Sequence, residues 1–108
     1  MEYSSLKEKI NHIETIFLSI CEEFGSGMPE RFYEKQMKKR IPEIKMQPYY
    51  KCYNNISCRP DARINNIILE YKCVDKYNIR QINKYLEFCN ADVILLCNFK
   101  TKEFKCFY

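Results

Sequence analysis

The chain has 108 residues, of which 46% are hydrophobic and 30% charged, and its formal net charge is +4. This length suits one domain with one core, residues 1–108, and the composition is that of an ordinary soluble protein. Neither an apolar run near the roughly 20 residues that span a bilayer nor a signal pattern is present. We therefore expect an intracellular, cytoplasmic protein without a membrane segment. The mild positive charge permits binding to a polyanion.

The chain contains seven cysteines. Their count is odd, no two are spaced as Cys-x-x-Cys, and most occupy apolar positions of the sequence pattern. Reduced thiols in a reducing compartment are therefore favoured over disulfides. A zinc site is disfavoured because no cysteine pair has ligand spacing and His12 is the only histidine. The heavy use of Ile, Lys, Asn and Tyr is typical of an AT-rich genome, for instance that of a virus.

Two helices are predicted in the first forty residues. Ser5 opens a capping box, an apolar stripe follows at helical spacing, and Gly25 fits the end of the helix. A second helix is expected from about Pro29 to Arg40. Glu30 and Glu34 lie four apart on one face of it, where acids near a helix start complement its dipole. The stripe is interpreted as core packing, with a dimer seam as the alternative; its members are Leu6, Ile10, Ile13, Phe17, Ile20 and Phe24.

The rest of the chain reads as strands with one further helix, which begins at about Ile79 and ends near Asn90. Pro48 interrupts the first strand material and suggests a bulge or a sheet edge. The fold class is therefore α+β, a central mixed β-sheet flanked by helices in the order ααβββαββ. Outside the hairpin described next, the predicted strands are Glu43 to Gln47, Tyr49 to Tyr53, Val93 to Phe99 and Glu103 to Tyr108.

The stretch from Arg59 to Lys72 is predicted to form a β-hairpin. Asn65-Asn66 is a two-residue turn signal between two alternating apolar runs, and Asn tolerates the positive φ that such turns need. In this register Asp61 faces Glu70, with Cβ atoms roughly 5 Å apart. One face of the hairpin then carries the polar residues and the other a core surface. The polar face comprises Arg59, Asp61, Arg63, Ile68, Glu70 and Lys72.

Two carboxylates facing each other destabilise a sheet unless a positive charge neutralises them. A divalent cation such as Mg²⁺ or Mn²⁺ would do so, because hard cations prefer carboxylate oxygens. Lys72 lies one step further along the same face and reaches the same point. The alternative is a solvated polar face on which Arg59, Arg63 and Lys72 pair with Asp61 and Glu70.

The dipeptide Pro60-Asp61, followed on the next strand by Glu70-Tyr71-Lys72, resembles the signature of the PD-(D/E)xK nuclease superfamily. Further segments resemble one family within it, the GxxExxY proteins, and the likeness runs from about Leu6 to Tyr108. These segments are the first helix up to Gly25, Gly27-Met-Pro-Glu30-Arg-Phe-Tyr33, Gln81-Ile-Asn-Lys-Tyr85-Leu86 and Leu95-Leu-Cys-Asn98-Phe99.

The resemblance implies a restriction-endonuclease-like core and a Mg²⁺- or Mn²⁺-dependent nuclease acting on DNA. Carried over by position, Asp61 and Glu70 would be metal ligands. Tyr71 would be a third ligand through its backbone carbonyl, while its side chain points into the core. Glu30 would be an extra acid delivered from the helix, and Lys72 would position or activate the attacking water.

Gln81 and Tyr85 resemble the Gln-x-x-x-Tyr pair that related exonucleases use near the substrate, although core packing is the favoured role for Tyr85. Basic residues would hold the phosphate backbone, and no base-reading module is recognisable. Two alternatives stay open: an inactive nucleic-acid- or protein-binding module on the same fold, and a homodimer built on the first helix. The predicted basic contacts to DNA are Arg59, Arg63, Lys76, Arg80 and Lys84.

Overall fold

The computed structural model describes residues 5–48, 50–51 and 57–108. A five-stranded mixed sheet of order β1-β4-β5-β6-β7 forms its centre, and β2 pairs with β3 in a separate two-stranded ladder. Among the described strands of the large sheet, β5 and β6 run parallel and the other neighbouring pairs run antiparallel. The helices are α1 Leu6–Phe24, α2 Glu30–Arg40 and α3 Ile79–Phe88. The strands are β1 Lys45–Met46, β2 Tyr50–Lys51, β3 Ser57–Cys58, β4 Ala62–Ile64, β5 Ile67–Lys72, β6 Val93–Asn98 and β7 Glu103–Phe107.

The predicted order of elements is confirmed, since the helices and the five strands of the large sheet follow one another as ααβββαββ. The first strand is shorter than expected, since it begins at Lys45 and ends at Met46. The positive φ of 48° at Gln47 accounts for its end. Of the strand expected from Tyr49 to Tyr53, only Tyr50–Lys51 is seen as a strand. Residues 49, 52 and 53 lie outside the described residues.

The first helix forms as its capping and apolar signals predict. The Glu8 N–H donates to the Ser5 hydroxyl oxygen at 3.2 Å, and Gly25, with a φ of 67°, closes the helix. Ile13 and Phe17 on the apolar stripe are buried in the core. Among the described residues, no helix combines the length and the apolar character needed to span a bilayer.

The central strands are buried on both sides of the sheet. Helices α1 and α2 pack on one face, against residues such as Leu69 and Tyr71, while α3 packs on the other, against Ile68. The alternative of a solvated polar face is wrong for its two members in the middle of β5: Ile68 is 0% and Glu70 only 2% exposed. The cause is topological, because a parallel connection between β5 and β6 needs a crossover helix, and that helix covers this face.

The hairpin register is confirmed. Asn65 has a positive φ of 52° at the turn. Next to the turn Ile64 pairs with Ile67, and two positions further from it Ala62 pairs with Leu69. The ladder ends at Ala62, so Asp61 lies just beyond its last pair.

Buried Asn98 ties the chain that leaves β5 to the end of β6. Its amide nitrogen donates to the Val74 carbonyl at 2.8 Å, and its amide oxygen accepts from the Val74 and Lys100 N–H groups at 3.4 and 3.2 Å. Alanine at this position would leave those backbone groups without partners. We expect Asn98→Ala to lower the free energy of unfolding by about 2–3 kcal/mol, measured by urea denaturation. Exposed Asn83 on α3 is the matched control, and an equal loss in Asn83→Ala would contradict this account.

Candidate active site

Asp61 and Glu70 are locked together at the open end of the hairpin. The Asp61 N–H donates to Glu70 Oε1 at 3.0 Å, and the Tyr71 N–H donates to Asp61 Oδ2 at 2.8 Å. These two bonds replace the regular ladder beyond Ala62. They fix the Asp61 carboxylate against β5, one residue from Glu70.

Three acids converge where the first turns of α2 meet this end of the hairpin. One carboxylate oxygen each from Glu30, Glu34 and Asp61 lies within 4.8 Å of the others. Glu30 is exposed, whereas Glu34 and Asp61 are half-buried. The two glutamates reach the same point because residues four apart lie on one face of a helix.

Tyr33 and Phe99 position α2 relative to the hairpin. The Tyr33 hydroxyl donates to the Gly25 carbonyl at 2.5 Å and accepts from the Met28 N–H at 3.1 Å, so it braces the loop that precedes α2. Its ring stacks on Phe99 with centroids 4.4 Å apart, and the Phe99 N–H donates to the Lys72 carbonyl at 2.8 Å. The helix that carries the two glutamates and the strand that carries Lys72 are thus both held by Phe99.

Ionisation of the two hairpin acids, Asp61 and Glu70, is unfavourable in this environment. Burial, followed by the negative charge of Asp61, raises the pKa of Glu70 from 4.5 to about 8, although the Asp61 N–H and the charge of Lys72 act against that rise. Burial also raises the pKa of Asp61, while the hydrogen bond from Tyr71 and the charge of Lys72 oppose the shift. Both carboxylates would therefore gain from a nearby positive charge.

The helix acids share this environment. Burial raises the pKa of Glu30, and the charge of Asp61 adds to the rise. For Glu34 burial is again the first cause of a raised pKa, followed by the charges of Asp61 and Glu30. The charge of Arg31 opposes the rise at Glu34, as that of Lys72 does at Glu30, but in both cases burial and the neighbouring acids outweigh it.

The donor set fits a hard divalent cation. All three converging groups are carboxylates, the ligand type that Mg²⁺, Mn²⁺ and Ca²⁺ prefer, and none is a thiolate or an imidazole. Because such ions lie about 2.0–2.6 Å from their oxygen ligands, two oxygens on one ion are at most roughly 5 Å apart. The 4.8 Å limit within the cluster is compatible with a single ion held by all three.

Glu34 is the site residue that sequence reasoning did not include among the metal ligands. The sequence did contain a signal for it, since Glu30 and Glu34 are four apart and share one face of α2. Acids in a first turn are, however, equally explained by the helix dipole. Only the approach of Asp61 from the hairpin distinguishes the two explanations. The three-acid cluster does not include Glu70, whose Oε1 accepts from the Asp61 backbone.

Lys72 and Tyr71 lie beside the acids. Lys72 is half-buried at the end of β5, and its charge lowers the pKa values of Glu30, Asp61 and Glu70. The Tyr71 side chain is 1% exposed, in the core as expected, and its hydroxyl has no hydrogen-bond partner among the described residues. The role of its carbonyl as a ligand stays a prediction.

The basic residue Arg63 is already engaged within the protein. Its guanidinium donates to the carbonyls of Asn65 and Cys89, both at 2.6 Å, and to that of Asn90 at 3.3 Å. These bonds tie the hairpin turn to the end of α3, at the opposite end of β4 from Asp61. A contact between Arg63 and DNA remains a prediction.

The other residues predicted to contact substrate lie on α3 or next to it. Gln81 is exposed, and its amide donates to the Tyr85 hydroxyl at 3.1 Å, which in turn donates to the Arg59 carbonyl at 3.4 Å. Tyr85 is 6% exposed and belongs to the core under α3, as favoured for it above. Arg59 and Arg80 are exposed and Lys84 is half-buried, so their proposed contacts with DNA stay open.

A mixed sheet flanked by helices, with acids and a lysine gathered at one end of its hairpin, is the architecture of a restriction-endonuclease-like nuclease core. Comparison with family models agrees: the model of the PD-(D/E)XK nuclease superfamily matches residues 7–107. The chain therefore belongs to the PD-(D/E)XK nuclease superfamily. Comparisons with curated proteins and with solved structures returned no match.

Proposed function

We propose that this protein is a metal-dependent nuclease that hydrolyses phosphodiester bonds in DNA, and that it belongs to the GxxExxY branch of its superfamily. The observation that carries the proposal is the convergence of Glu30, Glu34 and Asp61 within 4.8 Å. The charge of Lys72 acts on two of these acids. A merely structural acid pair would not require a third carboxylate from another element. The superfamily match supplies the class of reaction.

The proposed ligands of Mg²⁺ or Mn²⁺ are Glu30, Glu34, Asp61, Glu70 and the Tyr71 carbonyl. When bound, the cation would supply Lewis acidity toward the scissile phosphate and the attacking water. The hydrogen bond from the Tyr71 N–H holds the Asp61 carboxylate in place, and Glu70 holds the Asp61 backbone. Ligands fixed in this way need little rearrangement when a cation enters.

Lys72 completes the proposed chemistry. Hydrolysis adds one water to phosphorus and breaks one phosphorus–oxygen bond, which yields a phosphate monoester and a free hydroxyl. The ammonium of Lys72, a compact point charge on a flexible stem, would orient the water and stabilise the negative charge that builds on the phosphate. Its backbone is fixed by the Phe99 N–H, so only the side chain needs to move.

The direct experiment incubates the purified protein with end-labelled DNA in Mg²⁺, in Mn²⁺ and in EDTA. We expect cleavage with either cation and none in EDTA. Absence of cleavage with both cations, together with retained binding to the DNA, would instead support a binding module on the same fold.

Glu34 is expected to contribute to cation binding. Glu34→Gln removes one ligand charge from the cluster, so Mn²⁺ affinity measured by calorimetry should fall about tenfold or more. Exposed Glu22 on α1 provides the matched control, because Glu22→Gln makes the same charge change away from the site. Equal Mn²⁺ affinity in Glu34→Gln and in the unmodified protein would remove Glu34 from the ligand set.

A further inference from the structure

A groove between α2 and β1 opens beside the acid cluster. It has a volume of about 610 Å³ and is lined by Glu30, Arg31, Glu34 and Lys35 from α2, with Met46 and Gln47 opposite. Two of these residues, Glu30 and Glu34, also belong to the converging acids. The groove is therefore continuous with the proposed reaction centre.

The wall opposite α2 is also linked to that centre. The Gln47 N–H donates to the Asp61 carbonyl at 2.8 Å, and Met46 pairs with Ala62 in the sheet. Met46 is 38% exposed, and Gln47 is exposed as well. An apolar side chain on the edge strand β1 and an amide side chain just after it are thus exposed next to Asp61.

Two basic residues stand on the α2 wall. Arg31 and Lys35 are exposed and four residues apart, so their Cβ atoms are about 6 Å from each other on one side of the helix. The ion pairs found among the described residues use other cations, namely Arg40, Lys100 and Lys105. The charge of Arg31 lowers the pKa of Glu34, but neither Arg31 nor Lys35 forms an ion pair with another described residue. Both exposed side chains can therefore meet an anionic ligand in the groove.

We propose that one strand of the DNA substrate runs along this groove, with phosphates next to the scissile bond held by Arg31 and Lys35. The charges of the groove suit such a ligand. Glu30 and Glu34 lie where a cation would meet the scissile phosphate, and the basic side chains Arg31 and Lys35 lie where the neighbouring phosphates would pass. Met46 and Gln47 then face a base of the same strand, where apolar contact and amide hydrogen bonding are both available. The identity of the ligand as DNA rests on the proposed function. The inference places the main phosphate contacts on α2, where the sequence predicted no basic residue to contact DNA.

The test measures binding of a short fluorescent DNA oligonucleotide by anisotropy over a range of salt concentrations, in EDTA so that cleavage is not expected. The variant Arg31→Gln with Lys35→Gln should bind about tenfold or more weakly, and its slope of log affinity against log salt should fall by about two. The control is Lys7→Gln with Lys39→Gln, which makes the same net charge change at exposed helix positions outside the groove. It should keep the affinity within about twofold and the full slope.

Thermal unfolding of both double variants verifies that they are folded. Unchanged binding in Arg31→Gln with Lys35→Gln would overturn the inference, as would a loss confined to Arg80→Gln with Lys84→Gln, which would place the strand over α3. The two proposals fail separately. If the protein binds DNA through Arg31 and Lys35 but never cleaves it, the proposed nuclease activity is refuted and the groove is kept as the DNA-binding site. If the double variant cleaves DNA as well as the unmodified protein, the nuclease activity is kept and the role of the groove is refuted.

Discussion

Replacing Asp61 by asparagine will abolish cation-dependent DNA cleavage, with an expected loss of about 10³-fold or more. Asp61 is the acid that joins the two halves of the site. Its carboxylate approaches those of Glu30 and Glu34, and its backbone N–H binds Glu70. Asparagine keeps the shape and an oxygen that can accept from the Tyr71 N–H, but it removes the charge that a cation needs. The measurement is the single-turnover cleavage rate of labelled DNA at saturating Mg²⁺.

Asp92→Asn is the matched control, because Asp92 is exposed and lies just before β6. Its backbone N–H donates to the Asn66 carbonyl, and the substitution leaves that bond in place. Its rate should stay within about twofold of that of the unmodified protein, since an exposed charge contributes little. Thermal unfolding of Asp61→Asn should show a folded protein that is no less stable than the original, because the substitution relieves repulsion among the acids. A folded Asp61→Asn variant that cleaves at the original rate would refute the proposed active site.

The metal-free protein will become less stable as the pH rises from about 5 to 8. In the folded protein the pKa of Glu70 is raised from 4.5 to about 8, mainly by burial, so between these values the folded state keeps a proton that the unfolded state has released. The stabilisation is complete below the unfolded pKa and is lost as the pH approaches the folded pKa. We expect a loss of about 2–4 kcal/mol, or on the order of 10 °C in Tm. The raised pKa values of Asp61 and Glu30 act in the same direction.

Three measurements isolate Glu70 as the cause. Glu70→Gln should flatten the dependence of Tm on pH in EDTA, whereas Glu87→Gln, at an exposed position of α3, should leave it as it was. Added Mg²⁺ should raise the Tm more at pH 8 than at pH 5, because cation binding replaces the proton. A Tm of the unmodified metal-free protein that does not change with pH would contradict the electrostatic account of this site.

Local features of the hairpin and the first helix could be predicted because their causes lie within a few residues. Asn65 accepts a positive φ, and a two-residue turn then fixes which residues pair across the strands. The Ser5 cap, the apolar stripe and Gly25 likewise define α1 through contacts between neighbours in the chain. These features were enough to bring Asp61 next to Glu70.

The surroundings of the site could not be predicted in the same way. Periodicity showed that Ile68 and Glu70 share a face, but not that α3 would cover it and bury both. Arg63 looked available for phosphate, yet its guanidinium binds carbonyls at the end of α3, 26 residues away along the chain. Such contacts depend on how elements distant in sequence pack, which a local pattern does not contain.

By itself the sequence determined the register of the hairpin, the order of elements and the acids at the hairpin's open end, because alternation, turn chemistry and helix capping act over short stretches of chain. Only the tertiary structure decided that Glu34 joins Glu30 and Asp61 and that the groove beside them carries Arg31 and Lys35. The physical reason is that Tyr33 and Phe99 dock α2 onto the end of the hairpin, a long-range packing contact. Through that contact Glu30 and Glu34, which the helix dipole alone could explain, become part of a candidate cation site.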